Sequence, residues 1–420
     1  MRAKRSWSRG LLGVVALLAL PASSVLAQGH NPQFGPLYPI VGWPTFVPGC
    51  NQGFQRGLND QYPGAYDIAR DPSDLPAEPL ANGAELTLTT RRIEAYVAPG
   101  PDGVWGGTDD VKFNYLVFGG GHGGASAPAK LPAPFIRVRE GNTHKFKLLN
   151  YDTQSAHLID FHAIIGHRGG APVYGAAAAT VVNNNVVPAE GCATFTFRRP
   201  GLYVYHCVGE GTPGGIAHHM NNGMSGLILV EPRRDRDDDE TLPFTRLTRR
   251  SKEFYLFQQD IYYSNRGDGV ADYDEGLMMS MPSAPSVSVF NGRVGALFDH
   301  PAIAEAGKNA TVYFGTAGGH ISSLHGIGEI WDYAWPEGDI LNPTPIRNTQ
   351  TSLVPSAGSL VFVMLGNSLV PTELNALFGC QIPPNLALFV DHASPFFRRG
   401  ALGAFATVGI GSAGDSAMCQ

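Results

Sequence analysis

Charge is in short supply in this chain. Of its 420 residues, 16% are Asp, Glu, Lys or Arg, and 30 basic against 36 acidic side chains leave a net charge of −6. No long basic patch occurs, so neither a nucleic acid nor an anionic membrane surface is indicated as a partner. Beyond residue 27 no apolar run is long enough to cross a bilayer. Histidine occurs 13 times but never as His-x-His, which excludes a three-metal cluster fed by pairs of that spacing. Cysteine is scarce and odd in number, at five, so at least one thiol is left for a task other than a disulfide.

What is plentiful is Gly (52) and Pro (32), which suits a loop-rich β protein better than a helical one. The length exceeds one ordinary core and accommodates two domains. Arg2, Lys4, Arg5 and Arg9 precede an apolar run over 11–20 and a small-residue ending at Ala27. That order predicts a cleaved secretory signal over 1–27 and a periplasmic protein with no membrane span. An extended leader is expected over 28–80 and a first strand-rich domain over 81–235. A linker over 236–250 follows the mixed charge run at 233–240, and a second strand-rich domain covers 251–420. Strands are expected at 85–97, 112–118, 135–138, 144–150, 157–164, 192–197, 202–207 and 225–230, and in the second half at 308–314, 359–365, 386–390 and 401–409. Segments 169–179 and 366–384 read as loop insertions. Cys50, Cys192, Cys380 and Cys419 are available for up to two disulfides, with the pairing open.

Four residues fit a blue-copper site: His157, Cys207, His219 and Met224. Such a site takes two imidazoles and a thiolate in a plane, with a weak axial thioether. His218 competes with His219, but the spacing to Met224 favours His219. Strand geometry then sorts the neighbours, because residues an odd number apart face opposite ways. With His157 and Cys207 pointing in, Asp160, His162 and His206 point out. Two outward histidines beside a carboxylate make half of a second metal site.

Several stretches of the chain resemble the copper-containing nitrite reductases. They are PFIRVREG at 134–141, HLIDFH at 157–162, PGLYVYHC at 200–207 and GMSGLILVEP at 223–232, with DIARDPSDLP at 67–76 in the leader. In the second half FNGRVGAL at 290–297, SSLHGIGEIW at 322–331 and VDHA at 390–393 continue the pattern. The resemblance implies an all-β fold of two Greek-key cupredoxin sandwiches, with two copper ions per subunit. It implies a type 1 copper on His157, Cys207, His219 and Met224. It also implies a type 2 copper on His162, His206 and His392, the last from a neighbouring subunit of a homotrimer. Asp160 and His325 would then be the acid/base residues and Ile327 the apolar residue over the substrate. The implied reaction is one-electron reduction of nitrite to nitric oxide and water, with a small copper protein or cytochrome c as donor. A two-copper oxidoreductase with another substrate, or a plain electron-transfer cupredoxin, are the rival readings. The segment between Cys207 and His219 is longer than the family's usual, and PAP stands at 132–134 where PGP is usual.

Weaker signals have plainer explanations. The Asp/Gly run at 101–110 has the composition of a calcium loop, but also of ordinary turns. His122 and His167 read as loop histidines, and Met278, Met279 and Met281 as a mobile or core-filling loop.

Overall fold

The computed structural model describes residues 67–100, 105–166, 170–209, 213–233, 241–265, 267–305, 307–365 and 386–408. The expected signal segment, most of the leader, the run 234–240, the insertion 366–384, His167, Cys50, Cys380 and Cys419 lie outside the described residues.

Alternating apolar residues build an all-β molecule of two sandwiches. The first pairs a six-stranded sheet with a five-stranded one. The latter runs in the order Ile136–Arg139, Ser225–Glu231, Gly201–Cys207, His157–Phe161 and Tyr174–Ala176. Its core holds Leu88, Phe118, Phe146, Ile159, Phe161 and Ile228, together with Cys207 and Met224. The second sandwich repeats the plan, around Leu256, Phe314, Trp331, Phe362 and Phe389.

The strand Gly201–Cys207 is apolar along most of its length because both of its faces are covered. Tyr205 and Cys207 point into their own sandwich. Leu202 and Val204 point the other way, where with Leu227 and Leu229 they pack on Tyr255, Phe257, Tyr313, Trp335 and Val361 of the second sandwich. His206 shares that outer face at the strand's end. The halves also interlock: the hairpin Tyr263–Asn265 and Val270–Tyr273, from the second half, extends the first sandwich's six-stranded sheet through Val270 opposite Lys112.

Two expectations need correction. Segment 169–179 is not simply a loop, because Tyr174–Ala176 pairs with His157–Ile159 at the sheet edge. Between Cys207 and Met224, a stretch the sequence reads as a loop leading into a strand, the chain forms a helix, Pro213–Asn221. Within the expected linker, Pro243–Thr248 is a short helix whose Phe244 packs edge-on against Trp335. Cys192 is exposed and stands as a free thiol.

Candidate metal centres

The strands His157–Phe161 and Gly201–Cys207 run antiparallel, with His206 opposite Asp160 and Cys207 opposite Ile159. Paired residues share a face, so this register puts His157 and Cys207 inside and Asp160 and His206 outside. The strand His157–Phe161 stops one residue before His162, but the ladder continues through His162 N–H to the Val204 carbonyl at 3.2 Å.

Inside, His157, Cys207 and His219 are all buried. His157 Nδ1 lies 3.1 Å from His219 Nδ1, and Cys207 Sγ lies 3.2 Å from His219 Nδ1 and 3.6 Å from His157 Nδ1. A circle through three atoms so spaced has a radius of about 1.9 Å, close to ordinary metal–nitrogen bond lengths. Burial pushes the Cys207 thiol up to about 12, outweighing the bonds it accepts from the Gly209 and Leu158 backbone. A thiolate here therefore calls for a cation. Burial, then the charges of His157 and His218, lower His219 to about 3, which leaves a neutral imidazole able to ligate. The site fits a blue copper.

The backbone sets this geometry. Cys207 N–H donates to the Met224 carbonyl and Met224 N–H to the His219 carbonyl, each at 3.0 Å, so the three residues are stitched together. Gly223 makes the turn between them with φ of +120°, and a Cβ there would meet the Leu116 carbonyl at 2.9 Å. Met224 is fully buried in the same core as Cys207. His218 points elsewhere, stacked on Tyr273 with ring centroids 5.1 Å apart.

Outside, ligand atoms of Asp160, His162 and His206 all lie within 4.8 Å of one another. His162 Nε2 is 3.1 Å from His206 Nε2. His206 Nδ1 stands 3.1 Å from the Cys207 carbonyl, which can only accept. His206 therefore carries its proton on Nδ1 and offers a free lone pair on Nε2. Burial and then the neighbouring His206 lower the pKa of His162.

His325, Ile327 and His392 sit in the second sandwich. His325 and Ile327 alternate onto one face of the strand Ser322–Ile327. His392 follows the neighbouring strand, its N–H donating to the Ser323 carbonyl at 2.8 Å. The His325 and His392 rings meet edge to face, 4.8 Å apart. Burial and then His392 lower the pKa of His325, and its Nδ1 lies 2.8 Å from the Thr351 hydroxyl. Among the described residues, His392 belongs to neither three-ligand group within this one chain.

Sequence reading missed the partners that aim these candidate ligands. Asp152, buried, accepts from His157 Nε2 at 3.0 Å and from Arg92 Nε at 2.9 Å. His157 is thus held with Nδ1 free for metal. Thr351, beside His325, was also unforeseen. The one available signal was a lone Asp five residues before a ligand, which by itself indicates nothing. His122 lies in the turn after the strand Val111–Gly121, as a loop histidine, but is half-buried: its Nε2 accepts the Arg137 backbone N–H at 3.1 Å, and burial lowers its pKa to about 4.

No protein-family model matches the chain. It is 34% identical over 304 residues to the copper-containing nitrite reductase of Neisseria meningitidis serogroup A, a match covering 70% of this chain and 64% of that protein. The chain thus spans a little under two thirds of that relative's length. Among solved structures it is similar to the copper nitrite reductase from Nitrosomonas europaea, with a TM-score of 0.52 and 25% identity over 77% of this chain and 93% of the other. A multicopper oxidase with a TM-score of 0.54 and 17% identity, covering 84% of this chain and 100% of the other, shares the fold.

Proposed function

From this likeness to the copper-containing nitrite reductases, we propose that the protein reduces nitrite by one electron to nitric oxide and water. His157, Cys207, His219 and Met224 hold a type 1 copper in this reading. His162, His206 and the partner subunit's His392 hold a type 2 copper, within a homotrimer. The carrying observation is that Cys207 and His206 are adjacent on one strand, face opposite ways, and each sits in its own ligand cluster. A through-bond path of a single peptide unit then joins the two centres.

Copper would supply an electron-transfer centre at the buried cluster and a Lewis-acidic, one-electron site for the anion at the outer one. The chain's own residues supply the rest. Turning one nitrite oxygen into water consumes two protons, and Asp160 and His325 relay them. The Thr351 hydroxyl holds the His325 ring at Nδ1, so Nε2 is the nitrogen that faces the reaction. His325 has a lowered pKa and rests neutral at pH 7, so it passes a proton rather than storing charge. Ile327 shares the face of His325 and narrows the space above the anion.

The reading includes export through a cleaved signal over 1–27 to the periplasm, and a small copper protein or cytochrome c as electron donor. Among the described residues no helix is long and apolar enough to cross a membrane. The test is nitric oxide formation by copper-loaded protein with nitrite and a reduced artificial donor, beside His392→Ala. Nitric oxide from the wild type, lost in the variant while the blue absorption persists, is the expected result. A copper-replete wild type that makes none would overturn the assignment in favour of another substrate.

A further inference from the structure

Behind the pair His325 and His392 lies a buried polar node that no part of the reaction above uses. Asp391 is fully buried, and its side chain faces into the sandwich while His392 next to it faces out. Asp391 Oδ1 accepts the backbone N–H groups of Ala393 at 3.0 Å and Ser323 at 3.3 Å. It therefore grips both segments that carry the outer histidines. Ala393 directly follows His392 in one of them, and Ser323 stands two residues before His325 in the other. Asp391 Oδ2 accepts from Gln258 Nε2 at 2.7 Å, and Gln258 Oε1 accepts the Ser322 hydroxyl at 2.6 Å. The node so far ties one sheet of the second sandwich to the other.

His320 completes it. Its Nδ1 lies 2.7 Å from Asp260 Oδ2, and its Nε2 lies 3.3 Å from Asp391 Oδ2. Its ring lies flat on Phe396, which follows His392 in the short helix Ser394–Phe397. Burial opposes a charge on this ring, but the bonds and charges of Asp260 and Asp391 outweigh it and lift its pKa to about 9. Between Asp260 and Asp391, both nearly inaccessible, an imidazolium offsets one buried negative charge, and burial raises the pKa of Asp260.

We propose that His320 is a positioning residue for the second metal centre, holding Asp391 and Phe396 so that His392 and His325 present their rings in a fixed direction. The inference rests on the assignment of His392 and His325 above and extends it to a residue that touches neither substrate nor metal. A ligand offered to another subunit gains nothing from its own chain's cluster, so its aim depends on the segment behind it. Outer groups that orient ligands affect metal affinity by about 10–100-fold, and one acting through the strand belongs at the low end.

The experiment compares full-length, copper-loaded His320→Gln and His320→Leu with wild type. Copper per chain is followed during dialysis against graded chelator, with the electron paramagnetic resonance signal of the second copper and the blue absorption of the first. The expected result is loss of the second copper at about tenfold lower chelator strength in His320→Leu, with a broadened or shifted resonance signal and unchanged blue absorption. His320→Gln, which keeps one polar contact, falls between. Should His320→Leu fail to fold, the Gln variant carries the comparison. Wild-type retention and an unchanged signal in the folded variants would overturn the proposal, even if their thermal stability fell. Retention is read without nitrite, so a wild type that holds both coppers yet makes no nitric oxide overturns only the assigned reaction.

Discussion

Removing the carboxylate of Asp152 isolates the contribution of one ligand-aiming group. Asp152 accepts from His157 Nε2 at 3.0 Å, Arg92 Nε at 2.9 Å and the Gln154 N–H at 2.9 Å, and its side chain is 1% exposed. Asp152→Ala leaves a buried imidazole N–H without an acceptor and Arg92 without its counter-charge. Breaking a buried charge pair costs about 3–5 kcal/mol. The Arg92 side chain is 22% exposed and regains some water, so about 2–4 kcal/mol is expected for the metal-free protein. Asp152→Asn keeps an acceptor and loses roughly half as much. Urea unfolding of copper-free protein at pH 7 measures the loss, while the blue absorption of reloaded protein reports whether His157 still presents Nδ1. The pH dependence has a definite sign. Burial acts against the Asp152 carboxylate, but the bonds from His157 and Arg92 hold its pKa well below the usual range. Its contribution is therefore full above the unfolded value near about 3.9 and drains away as pH falls below that. The stability gap between wild type and Asp152→Ala should narrow on acidification through that window. A gap under about 0.5 kcal/mol at pH 7 with normal blue absorption would refute the reasoning, because a buried charge pair so broken costs several times more.

Two further outcomes follow from buried charges elsewhere. Arg293 is fully buried, with Nε 2.8 Å from Asp67 and Nη2 2.7 Å from Asp299, and it fastens the start of the described chain to the second half. Arg293→Met removes the guanidinium from two buried carboxylates, of which Asp67 keeps His300 at 2.7 Å, and is expected to lower the urea-derived stability by about 3 kcal/mol; a change below about 1 kcal/mol would count against that tie. His320 has a raised folded pKa of about 9, so its stabilisation is full below the unfolded value of about 6.5 and is lost as pH rises through 9. The wild-type urea midpoint should fall between pH 7 and pH 10 more steeply than that of His320→Gln, and parallel slopes would contradict an imidazolium at this position.

How much of this was readable in advance depends on the range of the interaction concerned. The inner and outer faces of His157, Asp160, Cys207 and His206 follow from the two-residue period of a strand, a rule that acts between neighbours in the chain. The register that sets His206 opposite Asp160 leaves that sorting unchanged. Strand positions were legible for the same reason, from 85–97 against Glu85–Ala98 to 386–390 against Leu386–Asp391. The helix Pro213–Asn221 was not, because paired glycines at its start weigh against a helix while the packing of Met220 against the second sandwich favours one. Tyr174–Ala176 was missed because a three-residue strand in an Ala/Gly-rich run carries too little alternation to see. The groups that orient the ligands were hidden for a deeper reason. Asp152 lies five residues from His157, but Asp391 meets Gln258 across 133 positions and His320 meets Asp260 across 60. A ligand is recognisable by its type and spacing, since the metal imposes both. A residue that aims a ligand is bound only to supply a complementary charge or hydrogen bond from wherever the fold brings it. Such residues become visible through unexpected burial: a chain with 16% charged residues that nonetheless sinks Asp152, Asp260, Arg293 and Asp391 in its interior has placed each of them against a partner that the fold must hold still.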